Sequence, residues 1–211
     1  MGTDGREVPA KRWYLAWGIL ALVAALFVGF ASGWLVTRPH HPGDDSAEAG
    51  FLRDMSAHHA QAIEMGMIAY QRGESDQVRT IGGDIALTQR YEIGIMQTWL
   101  RDWGLLVTGS QPPMAWMPEG DRAIRPGSNL MPGMATSAEM DKLRKAKGKE
   151  LDILFCQLML NHHLGGIHMA EGILKQSKNE DVRRLANGMK IAQTGEVATL
   201  RSMLTELGAP S

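Results

Sequence analysis

The sequence predicts an all-α protein: an N-terminal transmembrane helix followed by a four-helix bundle made of two duplicated helical hairpins. Three observations predict it. Residues 14–36 form an uncharged apolar run, two later segments align without a gap at a constant offset of 104 residues, and apolar or small residues recur in those segments at helical spacing.

The apolar run reads YLAWGILALVAALFVGFASGWLV from Tyr14 to Val36. At about 1.5 Å of rise per residue it crosses a hydrocarbon core roughly 30 Å thick. Trp13, Tyr14 and Trp17 open it and Trp34 stands near its end, where amphipathic rings favour the interface. Arg6, Lys11 and Arg12 precede it and only Arg38 closely follows, so residues 1–13 are expected in the cytoplasm and the remainder outside. A cleaved signal peptide is the competing expectation, with Gly29 and Ala31 as small residues for cleavage. The run is longer than the ~7–15 residues usual for a signal core. Residues 37–45 (TRPHHPGDD) read as a tether, and His40 and His41 within it have no scaffold to position them.

Lys and Arg total 22 against 23 Asp and Glu, a net charge of -1 that gives no electrostatic case for nucleic acid. Cys156 stands alone, which excludes an intramolecular disulfide framework and any multi-thiolate metal site, and suits a small core residue.

The duplication relates residues 51–104 to 155–208. Phe51 matches Phe155, Met55 Met159, His58 and His59 match His162 and His163, and Met65 matches Met169; Gln89 matches Gln193, Glu92 Glu196, and Gly104 Gly208. A shared helical pattern alone would not hold His-His, Gln and Glu in register over this length. Repeat one (46–104) is expected to run as a helix from about Ser46 to Gln71, a break, then a helix capped by Ser75 and stopped at Gly104. Repeat two (136–208) follows suit, with a Thr136–Glu139 capping box at its lead-in, a helix to about Gln176, Asn179 as the next cap, and Gly208 and Pro210 as terminators. Neither hairpin buries its apolar stripe alone, so two pack face to face. The Met- and Pro-rich linker 105–135 is expected to cross the bundle end, as one long connection does in ferritin-like topologies.

Chemistry concentrates on the first helix of each repeat. Met55 lies three and four residues before His58 and His59 and so shares their face, and Met159 does the same for His162 and His163. Neighbouring histidines diverge by about 100° on a helix, so one ring of each pair is expected in the bundle axis and the other at a helix seam. Gln89, Glu92, Gln193 and Glu196 on the second helices are expected partners, since a carboxylate that accepts from an imidazole N–H fixes the tautomer of a metal-bound ring. Imidazole with thioether suits copper, Cu(I) favoured by methionine and Cu(II) by histidine. Zinc would use the imidazoles and carboxylates but leave the methionines unexplained. No Glu-x-x-His occurs, which argues against a di-iron centre.

The segments FLRDMSAHHAQAIEM and FCQLMLNHHLGGIHMAEGI, with MPGM between them and Q-x-x-E in each second helix, resemble the domain-of-unknown-function family 305 over roughly Ala47 to Gly208. That resemblance implies a ferritin-like four-helix bundle in an exported or membrane-anchored bacterial protein, with copper binding and resistance among its members' roles. It also implies candidate metal ligands at Met55, His58, His59, Met65, Met131, Met134, Met159, His162, His163 and Met169. His168 joins the candidates from its place on the same helix, where repeat one has Glu64.

The functional expectation is thus a single-pass, extracytoplasmic metal-binding protein that sequesters or delivers copper, not a catalyst. The alternative is a metal-independent module that packs against an envelope partner protein or a second copy through the apolar linker residues Met114, Trp116 and Met117.

Overall fold

The computed structural model describes residues 11–37, 41–118 and 130–210. Most of the expected cytoplasmic segment, together with His40 and linker residues 119–129, lies outside them. The described residues contain helices and no strand. The chain divides into two units, Met1–His41 and Pro42–Ser211.

The first unit contains helix α1 (Lys11–Thr37). Its stretch Trp13–Trp34 has a mean hydropathy of 2.2 and none of it is buried within the protein, so by length and composition it can cross a membrane.

The second unit is built from α2 (Ala47–Arg72), α3 (Asp76–Asp102), a short α4 (Ser137–Lys145), α5 (Gly148–Gln176) and α6 (Glu180–Glu206). The expected caps form. Ser46, Ser75 and Asn179 accept from backbone N–H groups of their first turns, and Thr136 with Glu139 completes a reciprocal capping box. Gly104 and Gly208 end the second helix of each repeat at φ 73° and 68°, a left-handed turn that only glycine adopts without strain. The lead-in to repeat two is interrupted at Ala146–Lys147. Arg72 explains why the break holds, because its guanidinium donates to the carbonyls of Arg144 (2.7 Å) and Ala146 (2.5 Å).

Within each hairpin the helices pack against each other, and the hairpins meet through α2 and α5. A duplicated tie fastens them. Asp152, buried on α5, accepts from the N–H groups of Glu74 and Ser75 at 2.9 Å each, at the start of α3. Its repeat-one equivalent, Glu48, accepts from Ser177 Oγ at 2.6 Å in the matching turn before α6. Asp152→Ala would take the acceptor from two part-buried N–H donors. It is expected to lower stability by about 1–3 kcal/mol in chemical denaturation of the purified chain.

The core is split into two apolar clusters, and all four long helices contribute to each. One holds Met65, Val78, Ile85, Phe155, Met159 and Leu200; the other holds Phe51, Met55, Met96, Met169, Ile173 and Ala186. Met55 therefore shares a cluster with Met169, and Met65 with Met159, so α2 and α5 cross antiparallel with their histidines between the clusters.

Candidate metal centre

A polar layer separates the two clusters. His58, His59, His162 and His163 on α2 and α5, with Gln89 and Gln193 on α3 and α6, are all buried. His58 and His162 sit in the bundle axis with ring centroids 3.7 Å apart. The other ring of each pair turns toward its own hairpin partner, His59 Nε2 to Glu92 Oε2 at 2.8 Å and His163 Nε2 to Glu196 Oε2 at 2.7 Å. The divergence expected of adjacent helical residues is thus realised, one ring in the axis and one at the seam.

Hydrogen bonding fixes the tautomers. Pro132 O only accepts, so His58 Nε2, 3.0 Å away, carries the proton and Nδ1 keeps its lone pair. The carboxylates impose the same tautomer on His59 and His163. The Nδ1 atoms of His58, His59 and His163, both nitrogens of His162, both amide atoms of Gln89 and Oε1 of Gln193 are buried without a hydrogen-bond partner among the described residues. Such an atom typically costs about 1–3 kcal/mol unless something coordinates it, and nitrogen lone pairs beside thioethers are the donors that copper takes.

Burial, reinforced by the neighbouring imidazoles, holds His58 down to about 3 and His162 well below the ordinary histidine value. The unfolded chain, with a histidine value near 6.5, therefore binds more protons than the folded one below that pH. Stability from these rings is fully present above about pH 6.5 and is lost as pH falls toward 3, by about 2 kcal/mol for His58 alone at pH 5. Calorimetry of the metal-free chain should show a lower melting temperature at pH 5 than at pH 7.5.

Of the linker, the described residues 105–118 pack by the start of α2, at the bundle end as the sequence leads one to expect, whereas residues 131–135 run over this layer at mid-helix. The first described part is held by Asp54, which accepts from Met114 N–H (2.7 Å) and Trp116 Nε1 (2.9 Å), while Trp116 packs edge-on against Phe51. Burial raises the Asp54 carboxyl above its usual range. Met114 is buried, and Trp116 and Met117 pack against the core, so the apolar patch expected to meet a partner protein is used internally. The second described part is a strap, Met131–Ala135. Ala135 N–H donates to Gln61 Oε1 at 2.7 Å and Gln61 Nε2 returns the bond to Ala135 O at 2.9 Å. A Cβ at Gly165 would come within 1.9 Å of Pro132 O, so the strap lies backbone against backbone on α5.

Gln61 and Gly165 are equivalent positions of the two repeats. A single strap cannot treat two equivalent helices alike: it clasps one by a glutamine and rests on the other's glycine. The same asymmetry gives His58 a carbonyl of the strap, where the hydrogen bonds of the strap do not reach the His162 ring. The Gln61/Gly165 mismatch was the available sequence signal for the strap.

Of the residues singled out from the sequence, the four histidines, Met55, Met65, Met131, Met159, Met169, Gln89 and Gln193 are buried in or beside this layer; Glu92 and Glu196 border it, and Met134 is half-buried against the cluster holding Met55. His168 is not brought in. It projects from the exposed face of α5, a quarter to a third of a turn from the buried stripe, near Glu171. Among the described residues no three His, Cys, Asp or Glu side chains gather into a set that could hold a metal ion. Cys156 is buried with its thiol pushed up to about 12 by desolvation, consistent with a core role.

Fold and site together define a duplicated helical bundle whose core carries a histidine layer between two methionine-bearing clusters. Residues 48–204 match the family described as Domain of unknown function (DUF305), and the chain belongs to that family. A DUF305 protein from Streptomyces coelicolor shares 43% identity and a TM-score of 0.73, with 80% of this chain and 98% of that one covered. A DUF305 fragment from Deinococcus radiodurans shares 28% identity at a TM-score of 0.64, covering 78% and 99%. The fold is also that of CopM in its Cu(II)-bound form, at 22% identity and a TM-score of 0.60 over 76% of this chain and 97% of that one. No match was found among curated proteins.

Proposed function

We propose that this chain is a membrane-tethered, extracytoplasmic copper-binding protein that sequesters or hands on the ion through the His/Met layer. One observation carries the reading: buried imidazole nitrogens with lone pairs fixed by outward hydrogen bonds, next to thioethers in the same bundle. The axial rings of His58 and His162, which burial holds neutral, suit coordination, because a bound ion displaces no proton from them. CopM, which shares the fold, has Cu(I)-bound, Cu(II)-bound and Ag-bound forms, and this supports a soft or borderline cation here. The helix α1, apolar all round and unburied, supports the tether; a cleaved export signal would place the bundle in the same compartment.

The test is titration of the full chain in detergent with Cu(I) and with Cu(II), followed by X-ray absorption spectroscopy. Saturable binding with nitrogen and sulfur neighbours is expected. No saturable binding of either oxidation state, or an all-oxygen environment, would overturn the reading.

A further inference from the structure

A layer this deeply buried raises the question of how a cation reaches it. His58, His59 and His163 have no measurable exposure, His162 has 1%, and Gln89 and Gln193 have 3% each. The strap side is closed, since Pro132 O occupies His58 Nε2 and the strap backbone rests on Gly165. Above and below lie the apolar clusters. Among the described residues, two groups bonded to the layer reach water. The Glu92 side chain is 12% exposed and the Glu196 side chain 24%, and each holds a fully buried histidine through one carboxylate oxygen.

We propose that Glu92 and Glu196 are the entry ports of the layer, the carboxylate groups that first capture a hydrated divalent cation and pass it to the imidazole behind. This rests on the copper-binding reading above and adds a route to it. A carboxylate at the rim of a neutral, low-dielectric layer attracts cations in proportion to their charge and takes part of the hydration shell as an oxygen donor. Its second oxygen keeps the histidine N–H bonded, so the Nδ1 lone pair stays directed away from solvent while the ion moves inward. The greater exposure of Glu196 makes it the faster port. An oxygen port also selects by charge: it serves Cu(II) well and a soft monovalent ion such as Ag(I) poorly.

Loading of the full chain in detergent separates this from a structural role. Cu(II) alone and Ag(I) alone are mixed with protein in a non-coordinating buffer, the reaction is stopped with chelator at intervals, and bound metal is counted. Glu92→Gln with Glu196→Gln preserves an acceptor for each histidine and removes both charges. The double variant is expected to load Cu(II) about tenfold more slowly, with Ag(I) slowed less than about threefold. Glu196→Gln alone should slow Cu(II) more than Glu92→Gln alone. Unchanged Cu(II) rates, or equal slowing of both ions, would overturn the ports while leaving copper binding intact. A parent chain that takes up no Cu(II) at all would remove the underlying reading and the ports with it. A measurement that needs no variant supports the same conclusion: Cu(II) loading of the parent should slow as inert salt rises, and a flat salt dependence would count against a charged port.

Discussion

Replacing His58, His59, His162 and His163 together by alanine is expected to remove saturable copper binding, with affinity falling on the order of a thousandfold or more. All four rings are buried, and three have one nitrogen committed outward and the other left as a donor. The methionines that remain lie in apolar clusters and supply thioethers alone. Because four alanines also open cavities, a companion variant isolates the chemistry from the packing. His162→Leu fills the same space and deletes two unpartnered nitrogens, so metal-free stability is expected to rise by about 1–2 kcal/mol while copper affinity falls. Chemical denaturation and isothermal titration on the same preparation read both. A His162→Leu chain that is less stable when metal-free and binds copper as tightly would show that the axial ring serves packing.

Gly165→Ala is the second large effect. The added methyl would meet Pro132 O at 1.9 Å and the following backbone at 2.4 and 2.8 Å, with no flexible side chain to give way. The strap has to lift, which strips His58 of its carbonyl and strains the Gln61 clasp. A net loss of about 2–4 kcal/mol is expected, even after the roughly 1 kcal/mol that alanine gains over glycine in a helix. Gly166→Ala is the control one residue on. Its methyl meets the end of the Gln193 side chain at 2.3 Å, which can swing away, and repeat one already has Ala62 at that position. It should cost little or stabilise. Equal losses at the two positions in thermal unfolding would show that the strap contact is not what requires glycine.

These two variants also mark what the sequence could and could not reveal. The duplication, the caps at Ser46, Ser75 and Asn179, and the split orientation of each His-His pair follow from local periodicity and 3.6-residue geometry, so they were readable residue by residue. The Gln-x-x-Glu pairs were readable as partners because the repeat supplied them twice, and Glu92 and Glu196 do hold His59 and His163. The strap was not, because its bonds to His58 and Gln61 join residues 74 positions apart through backbone groups, and the Gln61/Gly165 mismatch marks only where the repeats differ, not what lies there. Asp152 and Glu48 are less legible for a related reason: an acid near a helix start reads as a local dipole partner, and only packing turns it toward the other hairpin. His168 was misplaced by proximity in sequence, since one residue's shift along a helix rotates a side chain from stripe to solvent.

The strap makes the order of the two copies along the chain meaningful. A protein assembled from two interchangeable halves would tolerate exchanging them, since each half would find its counterpart's surroundings unchanged. Here an exchange would bring a glutamine side chain to the seat shaped for bare backbone and leave the clasping position with nothing to grip. The two halves have become, in effect, a left and a right hand of the same ancestral glove.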